Sequence, residues 1–234
     1  MFHAFRSRRF FNSQLKKYPL ELQQFNYNKA NNLYLNNVDD AFLNGKRCAV
    51  IGNSGHLLDQ NLADEIDQHD VVFRFSLAPV KGFENKVGQK TTLRIINNKV
   101  FSGIKDPMAP EERDDQLLDF INDRILVVSW DNHLFQQSIF KFMHAKQLLF
   151  LNPSFKNEIC NRYFYRSATT GFIGIILALH YFEKVSLFGF NFYEGDWKKR
   201  HYFESCKKYV SEHSHNEEKY IVHTLADQGH ITIH

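Results

Sequence analysis

RCAVIGNSGHL, residues 47–57, decides the architecture. Cys48 to Ile51 is a short continuous apolar run, the signature of a strand covered on both faces. It breaks at once into Gly52-Asn53-Ser54-Gly55. A buried strand ending in a glycine-bracketed polar turn places that turn at the carboxyl edge of a parallel sheet, where ligands of such sheets bind. Glycines there let backbone N–H groups come close to a phosphate or nucleoside. Asn53 and Ser54 add short polar side chains suited to a base, ribose or phosphate. A tight turn without a ligand would use the same residues, so the motif alone leaves both readings open.

Working outward, the same apolar runs recur. Candidate strands are 47–51, 70–75, 91–96, 124–129, 147–151, 184–190 and 230–233, with candidate helices between them near 60–67, 114–122, 134–145, 170–182, 202–212 and 216–228. This alternation predicts an α/β fold: one domain with a mostly parallel sheet of about seven strands flanked by helices. Residues 1–45, whose 18–45 portion is rich in Asn, Gln and Leu, read as an irregular or helical lead-in, and 46–234 as the main α/β domain. The stretch 102–116, with Gly103, Pro107 and Pro110, reads as a surface loop.

Composition narrows the function. A chain of 234 residues with 43% hydrophobic residues suffices for one domain with a substantial core. A net charge of +3 is too small to argue for a nucleic-acid partner. No apolar run reaches the roughly 20 residues of a membrane span. The first seventeen residues mix Phe with Arg and Lys and lack the apolar core of a signal peptide. They read either as a peripherally packed basic terminus or as a contact with an anionic membrane surface. Cys48, Cys160 and Cys206 have no metal-ligand spacing and cannot all pair, which points to a reducing, cytoplasmic setting.

Two classes of nucleotide site are excluded. The G-x-G-x-x-G spacing is missing, and the next strand carries Arg74 where a dinucleotide fold would hold a ribose with an acid. There is no P-loop motif either. Further along, Thr169-Thr170-Gly171 precedes the apolar run FIGIILALHYF. A Thr there caps a helix, and the free N–H groups of a helix start attract an anion. Histidines gather near the C-terminus, at 201, 213, 215, 223, 230 and 234. Most suit a solvated surface, yet imidazole is the side chain best matched to proton transfer near neutral pH. His213 and His215 have no third ligand at metal-site spacing, so no metal is expected.

In order along the chain, four segments resemble the motifs of glycosyltransferase family 29, the eukaryotic sialyltransferases. The long motif reads CAVIGNSGHLL…EIDQHDVVFRFSLAPVKGFENKVGQKTT from Cys48 to Thr92; the small motif reads SATTGFIGIILALHYFEKVSLFGF from Ser167 to Phe190. The third is HYFE, His201 to Glu204, and the very small motif is His213 and Glu218, separated by four residues. Residues 1–45 and about 95–165 match no motif. The resemblance implies a variant GT-A, Rossmann-like fold and an inverting, metal-independent transfer of sialic acid from CMP-sialic acid to a glycan hydroxyl. It implies no cofactor beyond that donor.

By the same resemblance, Asn53, Ser54 and Gly55 hold the CMP portion, while Thr169, Thr170 and Gly171 hold the donor's phosphate and carboxylate. Gly189 and Asn191 pass close to the cytidine. His201 bonds the phosphate, His213 is the general base, and Glu218 supports it. Two departures stand out. The family's Arg-x-Asn is Arg74-Phe75-Ser76 here, so a nucleotide-contacting Asn has become Ser76. The cysteine that would pair with Cys48 is Phe182, so that bridge cannot form and Cys48 is expected to stay a thiol. Together with the cysteine usage this implies a cytoplasmic member acting on surface glycans. Another CMP-activated 2-keto sugar acid such as CMP-Kdo is the alternative donor, and a catalytically silent CMP-binding module the alternative class.

Overall fold

The computed structural model describes residues 22–27, 33–37, 41–43, 45–97, 120, 122–128, 147–151, 168–192, 194–203 and 213–234. The helices expected near 114–122, 134–145 and 202–212, the loop 102–116 and the basic N-terminal segment fall wholly or mainly outside them. No helix among the described residues is long and apolar enough to cross a membrane.

Among the described residues nine strands form one sheet: β1 (Leu22–Tyr27), β2 (Leu33–Asn37), β3 (Arg47–Ile51), β4 (Val71–Phe75), β5 (Leu93–Asn97), β6 (Arg124–Val128), β7 (Gln147–Leu151), β8 (Lys184–Phe188) and β9 (Ile231–Ile233). The order is β2-β1-β7-β6-β5-β4-β3-β8-β9. The seven strands β3 to β9 run parallel. Each coincides with an expected strand to within two residues at either end. The expectation of about seven parallel strands therefore holds for this core.

The lead-in departs from expectation. Within 18–45, read as irregular or helical, β1 and β2 pair antiparallel, and β1 pairs antiparallel with β7. Asn- and Gln-rich segments carry little strand propensity of their own. Here the open edge of β7 supplies the pairing, and the hairpin covers an edge that would otherwise be exposed.

Side chains of the central strands divide with period two between two cores. Cys48 and Val50 of β3 and Val71, Phe73 and Phe75 of β4 face one; Ala49, Ile51 and Val72 face the other. The first core is covered by α3 (Thr170–Tyr181) and by Ile221, Val222 and Leu225 of α4 (His215–Asp227). The second is covered by a 3-10 turn (Gly55–Asp59), α1 (Ala63–Asp67) and α2 (Glu84–Val87), which contribute Leu57, Ile66 and Val87. α3 is apolar nearly all round because eight of its twelve residues are buried. Gly174 brings it down onto β4, where a Cβ would lie 2.5 Å from the Phe75 ring.

The topology places the site. From β3 the chain winds outward through β4, β5, β6 and β7, then returns through α3 to lay β8 on the other side of β3. Strand order thus reverses between β3 and β8. The crevice at the carboxyl ends of these two strands is the topological switch point, the usual ligand position in open α/β sheets.

Candidate active site

At the switch point the backbones after β3 and β8 touch. Gly52 N–H donates to the Phe188 carbonyl at 2.7 Å and Ser54 N–H to the Gly189 carbonyl at 3.2 Å. A Cβ on Gly52 would stand 2.3 Å from the Gly189 carbonyl oxygen, so only glycine fits. Gly189 itself has φ +68, the left-handed region that favours glycine. Phe190 lies beneath this contact and also against the start of α3: its ring is 3.0 Å from where a Gly52 Cβ would be and 3.1 Å from a Gly171 Cβ. Two motif glycines far apart in sequence, Gly52 and Gly171, thus close on one aromatic ring.

Thr169 caps α3, its hydroxyl accepting from Phe172 N–H at 3.0 Å. Its remaining groups are engaged by Glu218 of α4. Thr169 N–H donates to Glu218 Oε1 at 2.6 Å, and the Thr169 hydroxyl to Oε2 at 2.7 Å. Of the expected donor-binding triplet, Thr169 therefore bonds inward, while Thr170 and Gly171 carry the N–H groups for which helix geometry supplies no partner. Asn97, at the end of β5, reaches Thr170 Oγ1 at 3.4 Å. Glu218 is only 3% exposed. Burial pushes its carboxyl up to about 7, against the lowering effect of the Thr169 hydrogen bonds.

His213 is half-buried and precedes α4; the helix begins only at His215. The two motif residues are therefore not successive turns of one helix. Ser214 caps the helix by position, its carbonyl accepting from Glu218 N–H at 3.0 Å. The His213 and His215 rings sit 5.9 Å apart, edge to face. Burial, then the neighbouring His213 and Arg200, holds the His215 imidazole down at about 4, so it is neutral near pH 7. His215 was weighed in the sequence only as an incomplete metal ligand. The signal for its role as a neighbour of His213 is the i, i+2 spacing across a cap.

The third motif closes over the long one. Tyr202 N–H donates to the Asn53 carbonyl at 2.9 Å, and a Cβ on Gly55 would lie 2.9 Å from the Lys199 carbonyl oxygen. His201, half-buried, stacks on Phe203 with rings 5.2 Å apart, next in the chain to the Tyr202 that bonds Asn53. The exposed pair Lys199–Asp59, at 2.8 Å, ties the same two segments on the surface, a contact worth little by itself. Ser54 is buried and caps the 3-10 turn, accepting from His56 N–H at 3.3 Å. Asn191 folds into its own turn, its amide donating to the Glu194 carbonyl at 2.9 Å.

Ser76 ends β4 with φ +52, a left-handed conformation that strains any residue with a side chain. Its carbonyl accepts from Arg94 Nη1 at 3.1 Å, as does that of Ala78 at 3.0 Å, while Arg94 Nε pairs with Asp123 at 2.7 Å. Tyr202 adds a hydrogen bond from its hydroxyl to the Pro79 carbonyl. Arg74, buried in the middle of the sheet, donates to the carbonyls of Val87, Gly88 and Lys90 and to Thr91 Oγ1. Two buried arginines thus brace the loops behind the site. A lone Arg in each of two apolar strands, VVFRF and LRIIN, was the available sequence signal.

Among the described residues no three His, Cys, Asp or Glu side chains converge as metal ligands would. Cys48 is a buried thiol raised well above its ordinary value by burial, and Phe182 lies in the same core cluster.

A doubly wound sheet whose glycine-lined switch point meets a capped helix start defines an α/β protein of the class that binds its ligand in that crevice. The particular class follows from comparison: the model of glycosyltransferase family 29 (sialyltransferase) matches residues 6–230, and the chain belongs to this family. The match runs through the stretches in which no motif could be placed. The chain is 30% identical to the human protein named CMP-N-acetylneuraminate-beta-galactosamide-alpha-2,3-sialyltransferase 4, covering 80% of this chain and 63% of that one. It is also 30% identical to the chimpanzee alpha-2,3-sialyltransferase 1 of the same name series, over 68% of this chain and 48% of the relative. A mouse alpha-N-acetylgalactosaminide alpha-2,6-sialyltransferase 1 is 29% identical over 80% of this chain and 43% of its own length. The chain thus spans less than two thirds of these relatives. A crystal structure of a mammalian sialyltransferase in complex with Gal-beta-1-3GalNAc-ortho-nitrophenol superposes with a TM-score of 0.60 at 25% identity, covering 81% of this chain and 69% of that one.

Proposed function

We propose that the protein is an inverting sialyltransferase, moving sialic acid from CMP-sialic acid to a glycan hydroxyl. The observation that carries this reading is the convergence at one sheet edge. Gly52 to Gly55, Gly189, the α3 start and the His201 loop meet there, and Glu218 ties the His213 end of α4 to that helix start. Relatives named as CMP-N-acetylneuraminate-dependent sialyltransferases support this donor, and the neighbour crystallised with a Gal-beta-1-3GalNAc compound supports a sugar acceptor.

In this reading the N–H groups of Thr170 and Gly171, with the helix dipole, meet the donor's anionic groups. His213 takes the proton of the acceptor hydroxyl as its oxygen attacks the anomeric carbon. CMP departs from the opposite face, its growing charge met by His201 and the helix start. With a single phosphate to neutralise, no metal is required. The partners are the CMP-sugar, the glycan acceptor and, through the basic N-terminal segment, an anionic membrane surface. Cytoplasmic residence belongs to the same proposal, supported by the buried Cys48 thiol with Phe182 at its family partner's position.

Transfer and binding assays on two variants test the assignment. His213→Ala is expected to slow transfer by about 10² to 10⁴ while leaving CMP affinity nearly unchanged. His201→Ala is expected to weaken both. Equal loss of CMP binding in the two variants would remove His213 from the role of base. Activity with CMP-Kdo but not CMP-sialic acid would change the donor, and binding without transfer would make the chain a CMP-binding module.

A further inference from the structure

Glu218 occupies the place where an anionic ligand would be drawn. Its carboxylate accepts the first backbone N–H at the start of α3 and the capping hydroxyl, at 2.6 and 2.7 Å. It does so from the first turn of α4, with 3% of its surface exposed. The next two N–H groups, of Thr170 and Gly171, lie on the same helix end. A second negative charge brought to them by the donor would face Glu218 across less than a turn of helix, in an environment that screens poorly. The pair can relax in one way that the geometry already provides. A protonated Glu218 donates from Oε2 to the Thr169 hydroxyl oxygen, at the same separation, and the hydroxyl's own proton is then free to turn to the incoming anion. The proton comes from solvent, and no other bond forms or breaks.

We propose that Glu218 is an internal placeholder for the donor's anion at the start of α3, yielding that role by taking up one proton as the donor binds. Donor binding is therefore proton-linked: affinity for the anionic donor falls as pH rises and Glu218 ionises. Among the described residues, the groups around it do not supply an alternative proton acceptor on the same contact. α3 carries titratable side chains only at its far end, His180 and Tyr181. On α4 itself Glu217 is adjacent and raises the cost of ionising Glu218. The Glu194–Lys219 ion pair, at 2.7 Å, lies on the exposed side of α4, and His213 and His215 precede the helix. The burial that pushes the Glu218 carboxyl up to about 7 brings the linkage into the working pH range.

The inference rests on the CMP-sialic acid reading, and the experiment separates the two. Binding of CMP-sialic acid blocked against transfer by fluorine at C3 is measured by calorimetry at pH 6 to 9, in buffers of different ionisation heat. This diester donor has no ionisation of its own in that range. The wild-type protein is expected to take up a proton on binding above pH 7, approaching ~1 per donor, with affinity falling up to about tenfold per pH unit. Glu218→Gln, which keeps both hydrogen-bonding positions, is expected to bind with no uptake from this group and a flatter pH dependence. Glu218→Met provides a second variant without the titrating group, should the first fold poorly. Uptake that persists unchanged in either variant places the proton elsewhere and overturns the proposal. Tight binding by the wild type with no proton uptake overturns it as well while leaving the donor reading intact. No binding of the analogue at any pH overturns the donor reading and this inference together.

Discussion

Replacing Glu218 by Gln isolates the energetic effect of a carboxyl that is the only buried one among the described residues. The side chain is 3% exposed, and both its oxygens meet Thr169. Burial raises its ionisation from 4.5 to about 7, a change worth on the order of 3 kcal/mol between the two protonation states. The sign follows from linkage: the folded protein holds this proton more tightly than the unfolded chain. The stabilisation is fully present below pH 4.5, declines as pH rises toward 7, and is absent above it. Gln resembles the protonated acid, with its amide oxygen accepting from Thr169 N–H and its amide nitrogen donating to the hydroxyl. The variant should match the wild type near pH 4 and exceed it by up to about 3 kcal/mol at pH 8, or roughly 6 to 12 °C in Tm. Urea unfolding of both proteins at several pH values measures the gap directly. A Gln variant less stable than the wild type at pH 8, or a gap of the same size at pH 4 and pH 8, would refute the assignment of Glu218 as a buried acid whose surroundings disfavour its charged form.

Gly52→Ala should disrupt the switch point, because its Cβ would stand 2.3 Å from the Gly189 carbonyl and neither backbone can retreat without breaking β3–β8 pairing. A loss of about 1 to 3 kcal/mol in stability, together with loss of CMP binding, is expected from unfolding and calorimetric titrations; wild-type binding would contradict it. Ser76→Gly should stabilise the protein by about 1 kcal/mol, since Ser76 holds φ +52 and glycine reaches that region without strain. Thermal unfolding tests this, and destabilisation would show that the Ser76 side chain contributes more than its backbone costs. Full transfer activity is expected in excess EDTA, and activity restored only by added Mg²⁺ or Mn²⁺ would sink the metal-free mechanism.

Much of this protein was legible in its sequence because the governing signals are local. Every parallel strand is a short apolar run bounded by polar or glycine residues, and β3 and β7 fall where those runs do, at 47–51 and 147–151. The strand-to-glycine turn after Ile51 and the Thr cap before Phe172 are properties of a few consecutive residues. So are the motifs, whose order along the chain needs no coordinates. What the tertiary structure decided is everything that depends on residues distant in sequence meeting at close range. That β1 and β2 are strands follows from pairing with an edge of β7, which their Asn- and Gln-rich sequence does not encode. That Thr169 turns inward follows from a carboxylate 49 residues away, positioned by the packing of α4 against the same core as α3. That Gly52 admits no side chain follows from the Gly189 backbone just after β8, 137 residues beyond it. The physical reason is the same in each case: periodicity and capping act within a turn or a strand, whereas the steric exclusion, desolvation and shared hydrogen bonds that shape the site arise only when the chain has folded back on itself.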